Sequence, residues 1–112
     1  MDKSLIDLTN IKSVTGGDLE IEKLLLEEFI NSSNKIIDDL KSNHENDNLK
    51  DLKVAAHSLR GICMNINAMT VVDLCTTIEN DESESKEGRE GIINKILEEH
   101  SSITSYIKDN HL

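Results

Sequence analysis

The chain has 112 residues and a formal net charge of −10 at pH 7. This acidic excess argues against binding to nucleic acids or anionic membranes, since both attract basic surfaces, and no stretch has the length and apolarity of a signal peptide or a membrane span. Proline and tryptophan are absent, and leucine and isoleucine dominate the apolar residues, so we expect one helical, cytoplasmic domain over residues 1–112.

The first two predicted helices lie on either side of a glycine pair. Residues 4–11 predict a short helix with apolar side chains available for burial, and the pair Gly16-Gly17 ends it. Asp18 then caps a long helix that we expect to reach about residue 43. The core stripe predicted for this helix is Leu19, Leu26, Phe29, Ile30, Ile36, Ile37 and Leu40.

Ile21 and Leu24 lie off this stripe. They either pack against the short first helix or form a surface on which a partner docks. We favour packing, because most apolar residues in globular domains are buried.

Two further helices follow a polar loop that contains His44. The third is predicted over residues 49–66, where Asn67 can end it in the left-handed conformation, and the fourth over residues 68–80. The core residues predicted for the third helix are Leu49, Leu52, Ala56, Leu59, Cys63 and Ile66. Those predicted for the fourth are Val71, Leu74, Cys75 and Ile78, so both cysteines are expected to be reduced core thiols.

Residues 81–91 are acidic and contain serine and glycine, which predicts an exposed loop. A last helix is predicted over residues 92–110, with its stripe on Ile92, Ile96, Ile103 and Ile107. Long amphipathic helices joined by short loops predict an all-α fold, because each must bury its stripe against the others. We expect an antiparallel up-down-up-down four-helix bundle with a short extra N-terminal helix.

The third helix carries a histidine, a cation and a glycine on one face. His57, Arg60 and Gly61 stand at positions i, i+3 and i+4, which are neighbours on a helix surface, and they point away from the core stripe. A neutral imidazole nitrogen is a nucleophile, cations stabilise a phosphoryl group, and a glycine leaves room for its approach. Further side chains expected on this face are Lys50, Lys53 and Met64.

A bland interpretation fits the same spacing: a surface histidine beside ordinary solvated lysines, which describes most histidines on helices. The histidines and cysteines lack zinc-site spacing, and no glycine-rich phosphate loop occurs, so we expect neither a metal site nor direct use of nucleotides. Spacing alone leaves the choice between surface residue and reactive site open.

The stretch Ala56-His57-Ser58-Leu59-Arg60-Gly61 resembles the phosphorylation motif A-H-x-L-[KR]-G of histidine-containing phosphotransfer (HPt) domains. Gly16-Gly17-Asp18 is similar to the start of the family's long helix. Residues at matching offsets after the histidine are Asn65, Ala68, Leu74, Cys75, Ile78 and Glu79. The resemblance implies that His57 is the phosphoacceptor, that Arg60 steadies the phosphoryl group, and that Gly61 gives access to it.

The resemblance also implies partners and a role. HPt domains pass phosphoryl groups between aspartates of receiver domains, without an ATP site or kinase activity, so a monomeric phosphoryl carrier rather than an enzyme is expected. The implied partner is the receiver domain of a response regulator or of a hybrid sensor histidine kinase, and Mg²⁺ is expected only on that receiver. Two alternatives stay open: a helical adaptor that binds a receiver or partner helix without phosphate, and one module of a larger hybrid kinase.

Overall fold

A computed structural model describes residues 5–81 and 85–112 of the chain. These residues form α1 (Thr9–Thr15), α2 (Leu19–Glu45), α3 (Leu49–Met64), α4 (Met69–Glu79) and α5 (Lys86–His111). Each long helix packs against the next, α5 packs back against α2, and α1 lies against α2. The predicted all-α bundle with a short N-terminal helix is confirmed. Within the described part of the chain, no helix combines the length and apolarity needed to cross a bilayer.

Contacts at one end of the bundle show how the helices run. The Nζ of Lys86 donates to the backbone oxygen of Glu45 at 2.9 Å, so α5 begins where α2 ends. The guanidinium of Arg89 pairs with Asp47, which precedes α3, and with Asp81, which follows α4. Consecutive long helices therefore alternate in direction, in the order up-down-up-down.

The turn before α2 follows its predicted chemistry. Gly16 and Gly17 have φ of +63° and +86°, a region in which a side chain is strained. The Asp18 carboxylate then accepts hydrogen bonds from the backbone N–H groups of Glu20 and Ile21 at 3.0 and 3.3 Å, which caps α2. This start of α2 matches the prediction.

The turn between α3 and α4 also anchors the N-terminal segment. Asn67 has a φ of +52°, as predicted for a residue that ends a helix, although α3 itself stops at Met64. The Asn67 amide donates to the backbone oxygen of Asp7 at 3.0 Å, and the Asp7 N–H donates to the oxygen of Ile66 at 2.8 Å. These two bonds hold the segment before α1 against the turn.

The apolar pattern predicts the first helix too early in the sequence. Ile6 and Leu8 are buried as expected, but they precede α1, which covers Thr9–Thr15 rather than residues 4–11. The reason is local, since the Asp7 carboxylate accepts from the Thr9 N–H at 2.9 Å and makes a turn there. Residue 4 lies outside the described residues.

The last helix begins six residues before the predicted position 92 and takes in part of the predicted loop. Its cap is Ser85, whose Oγ accepts from the Gly88 N–H at 3.1 Å, and Glu87 lies in the positively polarised first turn. Arg89 consequently lies on a helix and is buried, whereas the loop prediction left it exposed. Residues 82–84 of that loop are not among the described ones.

Burial corrects three further predictions. Leu19 belongs to the predicted stripe, but it lies in the first turn of α2, where 67% of it is uncovered. His44 is buried in the last turn of α2 instead of standing in a loop, because α2 continues to Glu45. Ile21 and Leu24 are 45% and 64% exposed, so the preferred interpretation, packing on the first helix, is wrong.

Candidate functional site

His57 lies near the middle of α3, on the side facing away from the core. Its side chain is 67% exposed, whereas Ala56 and Leu59 on the opposite side of the helix are fully buried. The ring is therefore open to a visiting molecule, as the helical spacing predicts.

A carboxylate from α4 reaches this ring. Oε1 of Glu79 lies 2.7 Å from Nδ1 of His57, and Nε of Arg60 donates to Oε2 of Glu79 at 2.7 Å. Nη2 of Arg60 lies 3.0 Å from Nδ1 of His57 and 3.5 Å from Oε1 of Glu79. His57, Arg60 and Glu79 thus form one hydrogen-bonded triad.

The donors and acceptors in the triad select one tautomer of the ring. A carboxylate only accepts, so the 2.7 Å contact with Glu79 requires a proton on Nδ1 of His57. The opposite tautomer would place the Nδ1 lone pair against the carboxylate, with only the 3.0 Å approach of Arg60 in its favour. We therefore assign the proton to Nδ1, which leaves the lone pair on Nε2, and no hydrogen bond joins Nε2 to a described residue.

The triad keeps its carboxylate ionised. Partial burial raises the pKa of Glu79, but the hydrogen bonds from His57 and Arg60, together with the Arg60 charge, outweigh burial and lower the pKa below 4.5. At neutral pH, Glu79 is thus an anion held against the Nδ1 side of the ring.

The layer beneath the triad is apolar and chemically quiet. Cys63 and Cys75 are buried free thiols, in agreement with the predicted reduced core cysteines. Burial raises the pKa of each to about 12, with the neighbouring cysteine adding for Cys63 and Glu79 adding for Cys75. Neutral, inaccessible thiols do not compete with the imidazole as nucleophiles.

The other residues predicted for this face take different positions. Gly61 is exposed, and a Cβ built on it meets no atom within 4 Å, so the fold does not require glycine there. Met64 is 48% exposed. Lys50 and Lys53 lie on α3 before His57, and no hydrogen bond or ion pair joins either of them to the triad among the described residues.

The sequence alone predicts no role for Glu79, which only stands at a matching offset after His57. The available signal is the register of the α3–α4 pair. In an antiparallel helix pair, residues at similar distances before and after the connecting turn lie beside each other, and His57 and Glu79 lie within about one helical turn of this relation to the turn at 65–68, an offset that the long side chains of Arg60 and Glu79 span. That register could have placed a carboxylate beside the ring.

An apolar groove of about 320 Å³ opens between α1, α2 and α3. Its apolar lining is Ile11, Val14, Leu25, Phe29, Ile62 and Ile66. Val14 and Leu25 remain 81% and 39% exposed. The groove is also lined by Asn65, which lies four residues after Gly61 and hence beside it on the surface of the helix, so the groove borders the face that carries His57.

No group of three or more histidine, cysteine, aspartate or glutamate side chains in residues 5–81 and 85–112 is placed to hold a metal ion. The triad consists of one imidazole, one guanidinium and one carboxylate. Such a site can offer a nucleophilic nitrogen and a nearby positive charge.

Comparison with known proteins places this geometry in a family. The model of the Hpt domain family matches residues 24–103, which include the whole of α3 and α4 and hence the triad. No curated protein and no solved structure matches the chain. Hpt domains are phosphocarrier modules of phosphorelays, interact with receiver domains and are not kinases. The resemblance in the sequence is confirmed, and the chain belongs to the Hpt domain family.

Proposed function

We propose that this protein carries phosphoryl groups between receiver-domain aspartates, and that Nε2 of His57 is the atom that accepts them. One observation supports this most strongly: the exposed ring is held at Nδ1 by Glu79 at 2.7 Å, which leaves its lone pair on Nε2. Family membership supports the reaction class, and the geometry supports the choice of atom.

The transfer itself needs no group from this chain beyond the ring. The Nε2 lone pair attacks the phosphorus of an aspartyl phosphate on the receiver, the N–P bond forms, and the P–O bond to the aspartate breaks. The aspartate leaves as a carboxylate, and the ring becomes a phosphoimidazolium. A neutral imidazole has its lone pair available, so no general base is required.

Glu79 acts in this proposal as the positioning residue of the ring. As the N–P bond forms, positive charge develops on the imidazole, and the carboxylate at Nδ1–H stabilises that charge. The contact also fixes the orientation of the ring, so that Nε2 meets the phosphorus without a search among rotamers.

Arg60 holds Glu79 through Nε and keeps Nη2 within 3.0 Å of the ring. We propose that this charge, with Lys50 and Lys53 around it, attracts the incoming acyl phosphate and offsets the dianion once it rests on His57. Gly61 and Met64 are proposed to border the approach path, with Gly61 leaving it open.

The proposed partner is a receiver domain docked over the His57 face and the adjoining groove. Val14 and Leu25 give this surface an apolar anchor beside a charged site, the usual make-up of a specific interface. The receiver would supply the reacting aspartate and the Mg²⁺ that neutralises phosphoryl charge, so no cofactor is proposed on this chain. We further propose a cytoplasmic monomer that forms one domain.

Labelling from a phosphorylated receiver tests this function. We expect the wild-type protein to take up acid-labile, base-stable phosphate, and His57→Gln to take up none. His111→Gln serves as the matched control, because His111 is a half-buried histidine in the last turn of α5, and it should label like the wild type. Absence of label on the wild type would overturn the carrier role, and receiver binding without label would favour the adaptor.

A further inference from the structure

We infer that Arg89 of α5 is a positioning residue of the phosphotransfer site, because it clamps the end of the helix that carries Glu79. The functional consequence rests on the function proposed above. The geometric claim stands on contacts at the end of the bundle and can be measured without phosphate.

Arg89 is unusual for a charged residue, since its side chain is only 1% exposed. Its Nη2 donates to Asp47 at 2.8 Å and its Nη1 approaches Asp81 at 3.5 Å, while its buried Nε finds no acceptor among residues 5–81 and 85–112. A buried guanidinium with one unpaired N–H is a poor source of stability, because an apolar side chain of similar volume often does as well or better. We therefore expect Arg89 to matter for the positions of the two carboxylates that it contacts rather than for stability.

The two acceptors lie on the segments that support the triad. Asp47 belongs to the turn that starts α3, and α3 carries His57. Asp81 lies two residues beyond Glu79, the last residue of α4. One buried cation on a third helix therefore joins the beginning of one site helix to the end of the other.

Glu79 depends on this clamp because it is the last residue of α4. The last turn of a helix lacks partners for its carbonyl groups and frays unless something holds it. α4 ends at Glu79, and the Asn80 N–H returns only to the carbonyls of its own last turn. Holding Asp81 therefore supports the position of Glu79, whose carboxylate Arg60 also holds at 2.7 Å, and releasing Asp81 is expected to loosen the contact of Glu79 with Nδ1 of His57.

Nitrogen NMR of the His57 ring tests the clamp at a pH where the ring is neutral. In Arg89→Met, the fraction of the Nδ1–H tautomer should fall, and phosphoryl transfer from a receiver should slow by about threefold or more. Arg89→Lys keeps a cation but lacks the second hydrogen-bonding arm of the guanidinium, so it should lower the fraction of the Nδ1–H tautomer to a smaller extent. If Arg89→Met does not fold, Arg89→Lys is the variant that tests the inference. Ile107→Val is the control, a cavity mutation at the far end of the same helix, and it should leave the tautomer unchanged.

A double-mutant cycle decides whether Arg89 acts through Glu79. In a Glu79→Ala background, where position 79 has no acceptor for Nδ1–H, Arg89→Met should change neither the tautomer nor the transfer rate further. An unchanged tautomer in Arg89→Met, or an equal effect with and without Glu79, would overturn the inference. If the tautomer shifts but the wild type accepts no phosphate, the clamp stands and the proposed function falls.

Discussion

At the scale of single residues, the contact between Glu79 and Nδ1 of His57 fixes the tautomer of the ring, which the spacing of residues on one helix does not determine. An exposed imidazole in water exchanges between two tautomers, and only one of them places the lone pair on Nε2. Glu79 holds that tautomer, and Arg60 holds Glu79 through a second bond of 2.7 Å. The ring nitrogen that keeps its lone pair is therefore selected by a residue on another helix.

Glu79→Gln tests the charge at this position while conserving its shape. We expect phosphoryl transfer to slow by about tenfold, because a hydrogen bond from the developing imidazolium to an anion is stronger than one to an amide. Rapid-quench measurement with a phosphorylated receiver gives the rate. Glu98→Gln, an exposed carboxylate of α5, should match the wild type. Equal rates for Glu79→Gln and the wild type would remove the carboxylate from the mechanism.

Substitutions of Gly61 distinguish an effect on the stability of the fold from an effect on the approach of a partner. Since a Cβ at Gly61 meets no atom within 4 Å, Gly61→Ala should raise the free energy of unfolding by about 1 kcal/mol. Gly61→Phe should also fold, yet it should slow transfer from a receiver because the ring blocks the approach to His57. Denaturant titration and transfer rates measure the two effects.

Gly91 provides the matched control for that series, since it is an exposed helical glycine of α5 that also meets no atom within 4 Å. Gly91→Phe should leave transfer unchanged. If Gly61→Phe transfers phosphate as fast as the wild type, the access role of Gly61 is wrong.

At the scale of helices, the pairing of α2 with α5 contains a polar contact inside the core. Nε2 of His100 lies 2.7 Å from the Oγ of Ser33, and both residues are buried. Burial lowers the pKa of His100 below 6.5, because the interior disfavours the imidazolium. The burial of His100 therefore makes the stability of the bundle depend on pH.

The sign of that dependence follows from proton binding. The unfolded chain binds a proton at His100 more readily than the folded protein, so the contribution is complete above pH 6.5 and the free energy of unfolding falls as the pH drops below it. His100→Leu should show a smaller fall between pH 7 and pH 5 than the wild type, in denaturant titrations at each pH. Parallel pH profiles for the two proteins would show that His100 stays neutral or is compensated elsewhere.

The predicted core positions are correct where the period of apolar residues determines burial, and the predicted helix starts are wrong where a single polar side chain determines the boundary. Leu52, Leu59 and Ile96 are fully buried, as their spacing predicts. The starts of α1 and α5 instead depend on Asp7 and Ser85, whose side chains bond backbone N–H groups. Local bonds of this kind, a turn at Asp7 and a cap at Ser85, compete with the apolar pattern and shift a boundary by several residues.

At the scale of the whole molecule, tertiary packing brings together residues that are far apart in the sequence. The motif around His57 could be read directly, but the triad needs α3 and α4 side by side, and the burial of Arg89 needs three segments to meet. Composition predicted a solvated loop at Arg89, since a charged residue is rarely buried without partners. Its partners come from Asp47 and Asp81, which no short-range pattern connects to it.

The same packing leaves the apolar groove beside the His57 face uncovered, and the proposal that a receiver docks there can be tested. Val14→Asp should weaken binding to a receiver domain by about tenfold, because it places a charge in an apolar contact. The free energy of unfolding should hardly change, since Val14 is 81% exposed. Titration calorimetry measures the affinity. Leu112→Asp, at an exposed apolar residue that follows α5 and does not line the groove, is the control, and equal affinities of Val14→Asp and the wild type would exclude the groove from the interface.

The central claim concerns one atom, and phosphorus–nitrogen NMR on the phosphorylated, ¹⁵N-labelled protein tests it most directly. We expect a single phosphohistidine, with phosphorus bonded to Nε2 of His57 and the proton retained on Nδ1 beside Glu79. Phosphorus on Nδ1 of His57, or on His44, His100 or His111, would contradict the account.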